Sequence, residues 1–414
     1  MRKIALIVQR YGLEVNGGAE YHCRLVAEKL STLFDVEVLT SCAQDHFTWA
    51  NEHPEGATEI NSIKVRRFVT LQERNKSKVH RLLKKLNNRT FIQQVFRFFG
   101  LLKVAERMFP SNASLIKIGD EWSKEQGPYT PGLIAHLENN HQDYEALIFF
   151  TYLYYPTFQG LRIAPQKSIL IPTAHDEPAI HLPVFEAFFR VPKVILYNTL
   201  AEKKLVNRLF NTEGTYSDIV GVGIETVDTE PELNSSAILK SNAPYFIYIG
   251  RIDKGKGCDL MLDYFLKYKN EGKQPVKIVL VGKAFMDIPA DPNVLHMGFV
   301  EERVKIALLR GAKALIMPSH YESLSMVTLE SMLEGIPVIV NEYCEVLKDH
   351  VQNSKAGFTF ADFDSFKIAA DQVMNDNRQL AVLKDNARKY VLENYNWKLI
   401  LDKFTKAIDY VATK

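Results

Sequence analysis

The chain has 414 residues, 51 of them Lys or Arg and 49 Asp or Glu, for a formal charge of +2. That length predicts two domains of about 100–200 residues each, and 46% apolar with 24% charged content is that of an ordinary globular protein. The near-zero balance excludes nucleic-acid binding through a bulk field, and four scattered cysteines (Cys23, Cys42, Cys258, Cys344) without a Cys-x-x-Cys pair point to reduced thiols, not to a disulfide framework or zinc site.

Met1-Arg2-Lys3-Ile4-Ala5-Leu6-Ile7-Val8 opens like a secretion signal but turns polar at Gln9-Arg10, too soon for one, and reads as a first strand. Asn16-Gly17-Gly18-Ala19-Glu20 follows and opens a helix. Its glycine pair suits either a tight turn or close backbone approach to a ligand. Apolar runs at 4–8, 36–39, 146–150, 168–171, 194–197 and 219–222 predict one parallel sheet. Those at 245–249, 277–281, 294–297, 314–317 and 338–340 predict a second. Helical patterns lie between most of them, the signature of a doubly wound α/β fold. The boundary falls in Glu230-Pro231-Glu232-Leu233-Asn234-Ser235-Ser236, and the amphipathic 395–411 closes the chain.

Residues 74–105 carry Arg74, Lys76, Lys78, Arg81, Lys84, Lys85, Arg89, Arg97 and Lys103, no acid, and interleaved Phe and Leu. Three readings stand in this order: a solvated basic face covering an apolar domain surface, an amphipathic helix on an anionic membrane surface, and, well behind both, nucleic-acid binding. The apolar stretch 146–158 is too short to span a bilayer and contains Pro156. His175-Asp176 ends the strand 168–171 at its carboxyl end, where such sheets hold ligands. This makes His175 a candidate site residue, with Asp176 orienting the turn. His181, His320 and His350 read as structural.

The densest chemistry lies between residues 250 and 330. Gly250-Arg251-Ile252-Asp253-Lys254-Gly255-Lys256-Gly257 directly follows the apolar 245–249. Arg251 offers a planar fork of donors and Lys256 a mobile point charge, both suited to a diphosphate. Asp253 and Lys254 face solvent or cap the turn. Pro318-Ser319-His320-Tyr321-Glu322 comes later, then Ser323, Leu324, Ser325 and Met326 as the expected first turn of a helix ending near Glu334-Gly335. Free amides and the positive dipole end there suit a phosphate. Glu322 precedes that turn and Glu330 follows, so one carboxylate is available to a sugar and the other to a ribose diol. Glu330 is expected to be buried among Leu329, Met332 and Leu333, where a carboxylate needs a partner. Asp362-Phe363-Asp364 has the Asp-x-Asp form of a metal bridge, but it precedes a helix at 365–373, and Asp364 suits an N-cap better than a metal.

Gly-Arg-x-x-x-x-Lys-Gly followed by Pro-Ser-x-x-Glu-x7-Glu resembles the group 1 glycosyltransferases, the family-four retaining enzymes of GT-B fold. Supporting text includes Leu280-Val281-Gly282, His296-Met297-Gly298-Phe299, Glu334-Gly335-Ile336-Pro337, Ala356-Gly357-Phe358, Gly17-Gly18-Ala19-Glu20, Ala174-His175-Asp176 and Gly221-Val222-Gly223-Ile224. The likeness spans nearly the whole chain and is loosest between about residues 45 and 140. It implies an α/β fold of two Rossmann-like domains facing across a cleft. The acceptor-side domain would span 1–235 and the nucleotide-sugar domain 244–394, with the helix 395–414 crossing back to the first.

The resemblance further implies metal-independent hexosyl transfer, with retention, from a nucleotide-diphosphate sugar to a glycan or lipid-linked hydroxyl. Arg251, Lys256, Glu322 and His175 would be catalytic. Gly250, Glu330, Ser323, Leu324, Ser325, Met326, Gly17 and Gly18 would bind the donor. No cofactor, metal or nucleic acid is expected. The protein is expected in the cytoplasm, with 74–105 placing it peripherally on the inner membrane face if the membrane reading holds. The alternatives are a non-catalytic GT-B partner subunit and a sugar-nucleotide epimerase or hydrolase of the same fold.

Overall fold

The computed structural model describes residues 1–15, 17–87, 113–226, 233–272 and 275–413. The chain divides into two compact units, Met1–Val220 with Leu401–Lys414, and Gly221–Ile400.

In the first unit, β1 (Lys3–Ile7), β2 (Asp35–Ser41), β3 (Gly56–Ile60), β4 (Ile63–Phe68), β5 (Ala146–Phe150), β6 (Ser168–Ile171), β7 (Val194–Tyr197) and β8 (Tyr216–Ile219) form one sheet, ordered β3-β4-β2-β1-β5-β6-β7-β8. All neighbours are parallel except β3 and β4. Ile4, Ala5, Leu6 and Ile7 are fully buried, as a central parallel strand covered on both faces requires. The chain leaves β1 towards β2 on one side and later enters β5 on the other. Their carboxyl ends therefore flank a topological switch point, where doubly wound sheets bind ligands.

The apolar pattern missed the β3–β4 hairpin. Its turn is Asn61-Ser62, both left-handed at φ 48° and 63°, the two-residue geometry that matches strand twist. The run at 219–222 is not a strand. β8 ends at Ile219 and includes the polar Ser217 and Asp218, and Gly221 at φ 59° turns the chain away. The apolar signal there marks the exit from the unit.

In the second unit, β9 (Tyr245–Ile249), β10 (Lys277–Val281), β11 (Val294–Gly298), β12 (Ala314–Met317), β13 (Val338–Asn341) and β14 (Gly357–Phe360) form a parallel sheet ordered β11-β10-β9-β12-β13-β14. The edge strand β14 was not expected. Its switch point lies between β9 and β12, so the loops carrying Arg251 and Glu322 leave neighbouring strands at the same end.

The closing helix Trp397–Ala412 starts in the second unit and ends in the first. Within the first, Tyr410 stacks on Tyr216 at 4.4 Å and Lys403 Nζ donates to the Ile219 carbonyl at 2.5 Å. Within the second, Ile224 N–H donates to the Tyr395 carbonyl at 2.8 Å. Among the described residues no helix is long and apolar enough to cross a membrane.

The helix Lys76–Asn87 buries Val79, Leu82 and Leu86 in the first unit's core, while Arg81, Lys84 and Lys85 are exposed. This described part is a solvated basic face over an apolar surface, so charge is what it offers a membrane. Residues 88–112, with Arg89, Arg97 and Lys103, lie outside the described residues.

Candidate functional site

The turn after β9 is built by its own side chains. Tyr248 O–H donates to the Arg251 carbonyl at 2.8 Å. The Asp253 carboxylate accepts the Lys256 amide at 2.8 Å and pairs with the Arg251 guanidinium. Asp253 is thus the local cap and orients the Arg251 guanidinium. Gly257 ends this 3-10 turn at φ 74°, and a Cβ there would lie 2.7 Å from the Pro318 carbonyl. Only glycine permits that approach, which places the loop after β9 against the loop after β12. Asn341 Nδ2, from the end of β13, donates to the same carbonyl at 2.9 Å.

The approach brings the two sequence motifs together: Lys256 Nζ lies 2.8 Å from Glu322 Oε1, with the side chains 30% and 14% exposed. Beyond Glu322, Ser323 and Leu324 are loop residues. The helix is Met326–Leu333, starting three residues later than the sequence suggested, because Ser325 takes a left-handed conformation at φ 60° and becomes the N-cap. Thr328 N–H returns to the Ser325 carbonyl at 3.0 Å. The first amides, from Met326 and Val327, have no acceptor within the helix and carry its positive dipole end. Arg251, Lys256, Glu322 and this helix start make one cluster at the sheet's switch point.

Leu324 is held from behind. His350, 2% exposed on the helix Glu345–Ser354, has Nε2 at 2.8 Å from the Leu324 carbonyl and Nδ1 at 3.1 Å from the Tyr390 hydroxyl. A carbonyl only accepts, so Nε2 carries the proton and Nδ1 accepts from Tyr390. Burial pushes the imidazole down to about 4, so it is neutral near pH 7. A folded pKa below the unfolded value means that its stabilising effect is complete above about pH 6.5 and lost as pH falls towards 4. His350→Gln is expected to flatten the stability–pH curve in that window by on the order of 1–3 kcal/mol, read from urea midpoints of both proteins.

Glu330 pairs with a different lysine. Its Oε2 is 2.8 Å from Lys305 Nζ, and both side chains are 13% exposed. Lys305 also reaches Glu302 at 2.7 Å. Burial opposes the ammonium, but Glu330 and Glu302 outweigh it and hold its pKa above the ordinary lysine value. Glu330 is therefore half-buried, not buried as expected, its partner is Lys305, and its burial does not call for a ligand there. The sequence reading missed Lys305, which sits three residues after Glu302 in an amphipathic helix and looks like surface charge.

Asp362 caps the helix Phe363–Asn375, accepting the Ser365 amide at 2.9 Å in a capping box. The helix starts two residues earlier than expected, so Asp362 and not Asp364 is the N-cap.

Gly17, Gly18 and His175 belong to the first unit. Gly17 precedes the helix Gly18–Leu30, and a Cβ on it would lie 2.0 Å from Glu20 Oε2. Glu20 is gripped by Arg10, whose Nε and Nη2 donate to Oε1 at 2.9 and 2.6 Å while Nη1 donates to the Gln44 carbonyl at 2.7 Å. This pair, 8% and 6% exposed, fixes the glycine loop after β1. Arg10 was passed over as the polar end of a strand.

His175 follows Thr173, which is left-handed at φ 50°, as is Thr151 at 67° after the neighbouring β5. Such conformations cost about 1–3 kcal/mol in residues other than glycine and concentrate at functional sites. The turn is held by Glu202, 1% exposed, which accepts the Ala174 and Asn198 amides at 2.5 and 2.6 Å. Asp176 Oδ1 is 2.6 Å from His181 Nε2, and both side chains are exposed.

Residues 230–390 match the family described as glycosyl transferases group 1. Over that stretch the chain is similar to the group 1 glycosyl transferases. The stretch lies within the second unit and contains Arg251, Lys256, Glu322 and Glu330. An uncharacterized glycosyltransferase of Methanocaldococcus jannaschii is 23% identical over 242 residues, 54% of this chain and 61% of its own length. The chain thus spans about three fifths of that curated relative. Two solved structures extend the likeness to both units. Sucrose-phosphate synthase from Thermosynechococcus elongatus has TM-score 0.64 and 16% identity, covering 98% of each chain. Anabaena HepE in complex with UDP-glucose has TM-score 0.67 and 14% identity, covering 99% of this chain and 100% of its own. The fold is GT-B.

Proposed function

We propose that the protein is a retaining glycosyltransferase that moves a hexosyl group from a nucleotide-diphosphate sugar to a glycan or lipid-linked hydroxyl without a metal. The observation that carries this reading is the Lys256–Glu322 contact at 2.8 Å. It sets a cation for a diphosphate beside a carboxylate for sugar hydroxyls, at a helix start that favours anions. HepE's complex with UDP-glucose, in a protein of the same fold, supports a sugar nucleotide as the donor. In this reading Arg251 and Lys256 neutralise the departing diphosphate, Glu330 takes the ribose and His175 contacts the sugar. The leaving phosphate accepts the acceptor's proton. The test is incubation with UDP-, GDP- and ADP-hexoses, with and without soluble glycan acceptors, and NMR of the product anomer. Retained configuration is expected. Turnover to a new sugar nucleotide without acceptor would instead mean an epimerase.

Metal independence rests on the two cations taking the metal's electrostatic role. Activity is expected to persist in excess EDTA, and Asp362→Ala to cost only helix stability, about 0.5–2 kcal/mol. Loss with chelator, restored by Mg²⁺ or Mn²⁺, would overturn it.

A peripheral membrane role rests on the exposed Arg81, Lys84 and Lys85. Neutralising all three is expected to reduce sedimentation with anionic vesicles by about 1 kcal/mol per residue at low salt and to leave transfer to a soluble acceptor unchanged. Wild-type protein that stays in the supernatant at every composition would remove the idea.

A further inference from the structure

We propose that His350 is a positioning residue for the candidate donor site: its Nε2–H holds the Leu324 carbonyl and so fixes the turn that presents the Met326 and Val327 amides. The inference deepens the donor-site reading above and rests on it for its function. Its structural part stands alone.

Residues 323–325 form the link between Glu322 and the helix start, and Ser325 is left-handed, a conformation uncommon for a residue other than glycine. The Ser325 hydroxyl bonds the Thr328 hydroxyl at 2.8 Å, which secures one end. The Leu324 carbonyl, immediately before the left-handed residue, is secured by His350 at 2.8 Å. Rotating the Leu324–Ser325 peptide would break this bond and re-aim the following amides. The hold is directional because the imidazole can donate only from Nε2 while Tyr390 donates to Nδ1 at 3.1 Å. Tyr390 thus sets the tautomer, as the partner of a site histidine commonly does. Burial keeps the ring neutral, so Nδ1 stays an acceptor.

The chain of contacts continues. The Tyr390 hydroxyl lies 3.4 Å from that of Tyr395, whose carbonyl accepts the Ile224 amide at 2.8 Å. Ile224 stands just inside the second unit's start at Gly221, and Tyr395 shortly before its end at Ile400. The turn beside Glu322 is therefore tied through three side chains to both segments by which the chain enters and leaves this unit.

The test compares His350→Leu, His350→Gln and Tyr390→Phe with wild type. Glutamine can place a donor near Nε2 and leucine cannot. With a sugar nucleotide that the wild type turns over, His350→Leu is expected to lower kcat/KM by about tenfold or more. His350→Gln should recover to within about threefold, with Tyr390→Phe between them. Hydrogen exchange is measured in parallel on the peptide 320–333, a readout that needs no substrate. His350→Leu should speed it by about tenfold and His350→Gln should not, while exchange in 363–375 stays as in wild type. Folded His350→Leu with wild-type exchange in 320–333 would overturn the hold on the turn. Accelerated exchange with unchanged kcat/KM would overturn its positioning role. Glutamine as impaired as leucine would reduce His350 to core packing. If no sugar nucleotide turns over, the transferase reading fails, and the exchange data still decide the structural claim.

Discussion

Lys256→Ala is expected to lower transfer by about 10²–10³-fold, the loss of ~2.7–4 kcal/mol that follows removal of one preorganised group facing developing charge. Lys256 is held at 2.8 Å from Glu322 and its amide is fixed by Asp253. The charge is thus placed before a substrate arrives, and alanine removes it without disturbing the turn. Arg251→Ala should cost a similar amount, because the guanidinium is oriented by the same Asp253 carboxylate. Steady-state kinetics on folded variants check both. Near-normal turnover in either would remove that residue from the leaving-group site.

Glu330→Gln should show two effects. It leaves Lys305 with Glu302 as its remaining carboxylate, so stability should fall by about 1–3 kcal/mol. If the carboxylate also takes the ribose, affinity for the free nucleoside diphosphate should fall by about tenfold, since a charge-assisted bond becomes a neutral one. Glu322→Gln should mainly weaken the sugar nucleotide and spare the free diphosphate. Calorimetry on both variants with both ligands separates the roles. Lost stability with unchanged diphosphate affinity in Glu330→Gln would leave Glu330 as Lys305's structural partner.

Much of the fold was legible because parallel strands buried on both faces are continuous apolar runs, as at 146–150 and 277–281. Elements whose residues do not alternate or run apolar were not. Thr58 and Glu59 in the β3 hairpin, and Ser217 and Asp218 in the edge strand β8, read as loop because edge strands are half-solvated. The cluster of Arg251, Lys256 and Glu322 was legible because its glycines, cations and carboxylate are close in sequence to the strand ends that carry them. The long-range partners were not: Arg10 with Glu20, Lys305 with Glu330, Glu202 with the Ala174 amide, and His350 with the Leu324 carbonyl. Each is an ordinary residue in its own helix or strand and acquires its role only when packing brings a distant backbone or charge to it.

The most direct test of the central claim is calorimetric titration of the intact protein, wild type and Lys256→Ala, with UDP, GDP and ADP. One diphosphate should bind the wild type at one site per chain and lose about tenfold or more in affinity on Lys256→Ala. Binding of none of the three, or equal binding by both proteins, would contradict a diphosphate site built on Lys256 and the turn that holds it.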